Sequence, residues 1–146
     1  MTKQAKKSVY TEFVDCLSAE YNCWQAVSNN LLKSKQSLIS FDVKQFKEFS
    51  EIHNTLVDNA NEQTFMRSIK MKSMFGFNGI SECKNTVSDI CKAVSKCIDK
   101  GENTVICEFL LCDLQNTLKR VAKLQAEVKE LISLGLELVN GGSSNV

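Results

Sequence analysis

The chain has 146 residues, enough for one domain with a core and too few for two. Its 18 basic and 17 acidic residues nearly cancel, which argues against a nucleic-acid partner, since such binders concentrate a basic excess on one face. Proline is absent and glycine is sparse before the tail, so little in the sequence can break a helix.

No stretch approaches the roughly 20 consecutive apolar residues of a membrane span. Val9 to Cys23 mixes Thr11, Glu12, Asp15 and Glu20 into what would be the apolar middle of a signal peptide. A cytoplasmic location without membrane insertion is expected. The seven cysteines are odd in number, so they cannot all pair within the chain, and a reducing compartment lets them serve as small apolar residues. Lys3, Lys6 and Lys7 form a short basic cluster of the kind that ends as a solvated tail.

In chain order, Ser8 is the expected N-cap of a first helix running from about Val9 to about Leu38. Phe13, Leu17, Tyr21, Trp24, Val27, Leu31 and Leu38 lie along it at helical spacing. Ser40-Phe41-Asp42 interrupts the pattern, and Asp42 with Gln45 has the form of a capping box. A second helix follows from Val43 to about Met74. Its stripe is Phe46, Phe49, Ile52 or His53, Leu56, Ala60, Met66 and Ile69, and the short joint makes residues 9–75 an antiparallel hairpin. Gly76 and Gly79 end it. Ser81 is the expected cap of a short third helix within 81–100, with Val87, Ile90, Cys91, Val94, Cys97 and Ile98 as its apolar face and Gly101 at its close.

The fourth helix, 102–140, carries the longest apolar seam. One line holds Leu111, Leu114, Leu118, Val121, Val128, Ile132 and Val139, with Gln125 and Gly135 in the gaps. A second holds Leu110, Leu124, Leu131, Leu134 and Leu138. Together they are wider than a two-stranded zipper needs and suit a helix within a bundle. Residues 141–146, opening with Gly141-Gly142, are expected to form a disordered tail. The expected fold is therefore all-α: a single, elongated antiparallel hairpin or bundle of three long helices and one short one.

Catalytic and metal chemistry find little support. No cysteines form C-x-x-C, and His53 is the only histidine, which leaves zinc and di-iron ligand sets incomplete. Gly76-Phe77-Asn78-Gly79 follows a helix and lacks the lysine of a phosphate loop. No cofactor is implied. A short helix cannot cover three long ones along their length, so part of the fourth helix should be open or covered by another copy.

Leu17, Glu20, Trp24, Leu31 and Leu32, a Leu38–Asp42 joint, then Phe46, Glu51, Leu56, Arg67 and Gly76 make a pattern that resembles the FlgN-like flagellar export chaperones. Asn116, Leu118, Leu131, Leu138 and Asn140 extend the likeness to the last helix. The resemblance implies a cytoplasmic chaperone without catalytic activity. Its partners would be the hook–filament junction (hook-associated) proteins, whose amphipathic C-terminal segments it keeps soluble, and the type III export apparatus that receives them. It also implies that the last helix holds the client, which carries that role to Leu114, Leu118, Val121, Leu124, Val128, Leu131 and Ile132. One apolar line would pack on the hairpin while the other waits for the client. The competing expectation is a structural coiled-coil protein that buries the same seam in a homodimer.

Overall fold

The computed structural model describes residues 3–144 except 82, 85 and 98–101. The chain is all-α: α1 (Lys3–Ile39), α2 (Val43–Phe77), α3 (Val87–Cys97) and α4 (Glu102–Ser144), with no strand among the described residues. Helix α1 starts at Lys3, so Ser8 lies inside it rather than capping it. Lysine, glutamine and alanine are good helix formers, and nothing between Lys3 and Val9 stops the turn from propagating backwards.

The joint between α1 and α2 closes as a Schellman turn. The Asp42 amide donates to the Ser37 carbonyl at 2.8 Å and the Phe41 amide to that of Leu38 at 3.2 Å. Such a turn needs one left-handed residue, and Phe41 supplies it at φ 59°. Asp42 then caps α2, its Oδ1 accepting the Gln45 amide at 3.1 Å. Helix α2 ends by the same device. Ile80 donates to Phe75 at 2.9 Å and Gly79 to Gly76 at 3.3 Å, with Gly79 left-handed at φ 70°. Gly76 itself lies within the last turn, so Gly79 is the glycine that the stop requires.

Helix α3 begins at Val87, and its cap is Thr86 rather than Ser81: the Asp89 amide donates to Thr86 Oγ1 at 3.1 Å, and the two side chains bond in return. The expected roles of Ile98 and Gly101 fall outside the described residues. Helix α4 continues through Gly141-Gly142 to Ser144, past the expected stop at 140. Two glycines weaken a helix without breaking it when nothing offers the backbone another partner.

Helix α1 is the centre of the molecule, with α2 and α4 each lying against it. Along the α1–α2 seam the partners run in opposite directions. Glu12 meets Lys70, Glu20 meets Arg67, Trp24 Nε1 donates to Thr64, and Asn30 Nδ2 donates to the Phe49 carbonyl. Helix α4 runs parallel to α1: Val27 and Leu31 cluster with Val121 and Leu124, and Lys35 pairs with Glu127. Small buried residues on α1, Ser28, Ser34 and Ser37, leave room for two neighbours at once.

At one end α3 lies across α2 and α4 and closes a core of Phe13, Leu17, Met71, Met74, Phe75, Ile90, Val94, Cys107 and Leu111. Within this frame Glu20 is 1% exposed, and Arg67 grips it twice, Nε to Oε1 at 2.8 Å and Nη2 to Oε2 at 3.2 Å. That pair takes the inward place expected for Met66 and Ile69, which are exposed instead. Likewise His53 turns inward and Ile52 outward.

Two outcomes follow for stability. Arg67→Met should cost about 3 kcal/mol by leaving a buried carboxylate unpaired, and adding Glu20→Met should recover most of the loss. Urea denaturation of the two variants checks this. Phe41→Gly should stabilise the fold by about 1 kcal/mol, because glycine adopts the left-handed turn without Cβ strain. A higher melting temperature is the readout.

Candidate functional site

The apolar positions of α4 sort themselves by what α1 leaves uncovered. The inward row is Cys107, Leu111, Leu114, Thr117, Val121 and Leu124, which crosses both lines of the sequence pattern. Of the residues expected to meet a partner, Leu114, Val121 and Leu124 are therefore inside the bundle, held against α1. Val128 and Leu131 are half-buried, while Leu118 and Ile132 are exposed. Thr117 takes the inward place beside Leu118, because the seam follows the heptad-like drift of two packed helices rather than one fixed line.

Exposed apolar side chains lie at both ends of the bundle: Phe77, Val105, Ile106 and Phe109 near α3, and a second set at the end away from it. Helix α1 stops at Ile39, one turn beyond Lys35, whereas α4 continues from Glu127 to Ser144. At ~1.5 Å per residue α4 thus outruns the hairpin by about 20 Å. Leu134 and Leu136 on this overhang are 48% and 59% exposed. The hairpin tip beside it presents Ile39, Val43 and Phe41, the last 85% exposed. An exposed phenylalanine in a left-handed turn serves neither burial nor backbone comfort, and such outliers concentrate at functional sites.

Between the walls of α2 and α4 at this same end lies a recess of about 260 Å³. Leu31 and Ser34 of α1 form its floor, Phe46, Ser50 and His53 one wall, and Gln125, Val128, Lys129 and Ile132 the other. His53 lines it, and its Nδ1 is buried without a hydrogen-bond partner. Nearby, Lys35 and Glu127 tie α1 to α4. Their hydrogen bond, with the charges of Lys35 and Lys123, holds the Glu127 carboxyl below its ordinary range against the opposing effect of burial. Phe46 and His53 stood on the apolar stripe of α2 in the sequence pattern and were not among the residues expected to meet a partner. The signal that marks them is tertiary, since nothing local says that α3 stops short of them.

A larger recess of about 790 Å³ lies along α2 and the connection to α3, lined in part by Arg67, Lys72 and Phe75. Its arginine is already neutralised by Glu20, so it offers no built anion site. Among the described residues no three His, Cys, Asp or Glu side chains come together as a metal site. Three of the thiols are held back as nucleophiles: burial pushes Cys107 up to about 12, with Cys91 and Glu108 adding to it. Burial also raises Cys91 and Cys83, aided by Glu108 and Cys112 in one case and Asp89 in the other. No described helix is long and apolar enough to cross a membrane. Comparison with protein-family models, with curated proteins and with solved structures finds no match to this chain.

The arrangement can bind, by apolar contact along an open groove and a protruding helix, while Cys97 and Cys107 are core residues. Buried Tyr10 is also raised, from 10.0 to about 12, first by burial and then by Cys107. Both groups are held protonated in the fold, so their contribution is complete below their unfolded values of 9.0 and 10.0 and is lost as pH rises toward about 12. Melting temperature should therefore stay level up to near pH 9 and fall above it, as thermal scans by circular dichroism would record.

Proposed function

We propose that this protein is a helix-binding export chaperone of the flagellar kind. In the cytoplasm it holds amphipathic C-terminal segments of hook–filament junction proteins, and it releases them to the type III export apparatus. It acts by surface contact, without catalysis or cofactor. The observation that carries this proposal is the overhang of α4 past the hairpin, which leaves Leu134 and Leu136 exposed at the same end as Ile39, Phe41 and Val43. Exposed apolar side chains on an uncovered helix suit a partner site, and an amphipathic helix is the natural occupant of a helical groove. The resemblance supports the choice of client. Its Glu20 and Arg67 form the ion pair that fixes the hairpin, which gives those motif residues a physical task. Leu118 and Ile132 are the carried-over positions open to a client directly, with Val128 and Leu131 at the margin.

The test uses the full chain and the C-terminal helical segment of a hook–filament junction protein, with calorimetry for affinity and sedimentation for size. A complex of one chain with one segment is expected. Leu134→Asp with Leu136→Asp should weaken it about tenfold or more and leave helix content unchanged, since both side chains are already in water. Absence of any complex, with the chain sedimenting as a stable dimer, would establish the self-associating alternative instead.

A further inference from the structure

Helix α2 buries one side and leaves an apolar stripe on the other. Ala60, Thr64, Arg67, Met71 and Met74 face the bundle, through its two cores and the bonds to Trp24 and Glu20. At about 100° per residue, Phe65, Met66, Ile69, Ser73 and Phe77 fall on the opposite side of the helix. Four of these five are large apolar residues left exposed, with Phe65 at 64% and Phe77 at 51%. Met66, Ile69, Ser73 and Gly76 follow one another at steps of three, four and three, the spacing of a helix-pairing seam.

Gly76 is a second anomaly on this face. Glycine weakens a helix interior, and here it has no compensating task within the chain. Gly79 makes the left-handed stop, whereas a Cβ at Gly76 would meet nothing within 4 Å. A glycine with neither backbone strain nor an internal neighbour leaves a hollow on the surface, the kind used where another molecule comes close.

We propose that this protein pairs with a second copy of itself through the outer faces of the two α2 helices, packed antiparallel about a two-fold axis near residue 70. In that register Phe65 of one copy stands opposite Gly76 of the other and Met66 opposite Ser73, while Ile69 lies close to the axis. Each bulky side chain thus meets a small one. A face that carries its own knobs and hollows at matching distances is self-complementary, which a two-fold dimer requires and an unrelated partner does not.

The exposed area sets the strength of the pairing. At roughly 200 Å² for a whole aromatic side chain, Phe65 and Phe77 leave about 230 Å² in water, and Met66 and Ile69 bring the stripe to about 400 Å² per copy. A pair therefore buries about 800 Å² through these side chains, and the flanking Glu62 and Lys72 bring it near the roughly 1,000 Å² of a small specific interface. The expected result is a reversible dimer with a micromolar dissociation constant. The groove of Phe46 and His53 lies more than three turns away along α2, so pairing leaves it open, and the ratio of segment to chain stays one to one.

Sedimentation velocity of the full-length protein, with its thiols kept reduced, tests this over about 1 μM to about 1 mM. The sedimentation coefficient should rise from monomer to dimer across that range. Ile69→Asp should keep the chain monomeric throughout, with helix content unchanged because the side chain is already exposed. Gly76→Leu should weaken pairing about tenfold or more without lowering the melting temperature in dilute solution, since leucine enters open space in the single chain. Phe109→Asp and Leu134→Asp, at exposed positions on α4, should leave the dimer as it is. A chain that stays monomeric at the highest concentration overturns the proposal, and so does a dimer that survives Ile69→Asp. A dimer lost in Phe109→Asp or Leu134→Asp places the contact on α4 and overturns it equally. Pairing that is abolished by Ile69→Asp yet indifferent to Gly76→Leu overturns the register about residue 70.

Discussion

A carboxylate with 1% of its surface exposed, Glu20, sits between α1 and α2 and is tolerable only because Arg67 meets it with two parallel bonds. Removing either partner strands the other, while replacing both by apolar groups costs little. The pair therefore matters most for register. Sliding α2 by one residue would swing position 67 by about 100° around the helix and leave the carboxylate bare. The neighbouring bonds of Trp24 to Thr64 and Asn30 to Phe49 hold the same alignment. That register turns His53 toward the groove and Ile52 away from it, so the chemistry of the open end depends on an ion pair far along the same seam.

Helix α2 lies along one flank of α1 and α4 along another, so α1 becomes the central helix. Its buried serines serve this role, as a bulkier residue at Ser28, Ser34 or Ser37 would push one neighbour away. Parallel packing of α1 and α4 then has a geometric consequence. The chain turns back at Phe41 to make α2, while α4 has no such obligation and runs on. The overhang, the hairpin tip and the groove thus fall at one end, and α3 is committed to the other.

The two ends differ in how far the chain covers its own core. The α3 end holds the larger core, including the thiol of Cys107 and the phenol of Tyr10, both kept protonated by burial. The opposite end keeps Phe41, Val43, Leu134 and Leu136 in water and one imidazole nitrogen unpaired. Each of these features works against the stability of the isolated chain and suits a surface that another molecule completes.

The sequence by itself determined that the chain is helical and roughly where each helix lies. Apolar spacing, absent proline and the capping residues at Asp42 and Gly79 are local signals, and helices answer to local signals. It also exposed the weak ones. Ser8 and Ser81 look like caps, yet the backbone found no reason to stop at the first and a better pair, Thr86 with Asp89, after the second. What periodicity could not decide was which face of a wide stripe turns inward. Leu114, Val121 and Leu124 became core and Ile132 did not, because that choice belongs to where α1 ends and which neighbour covers each turn. The groove around His53 was illegible for the same reason. Its residues come from three helices distant in sequence, and only tertiary packing, with α3 seated at the far end, leaves them open together.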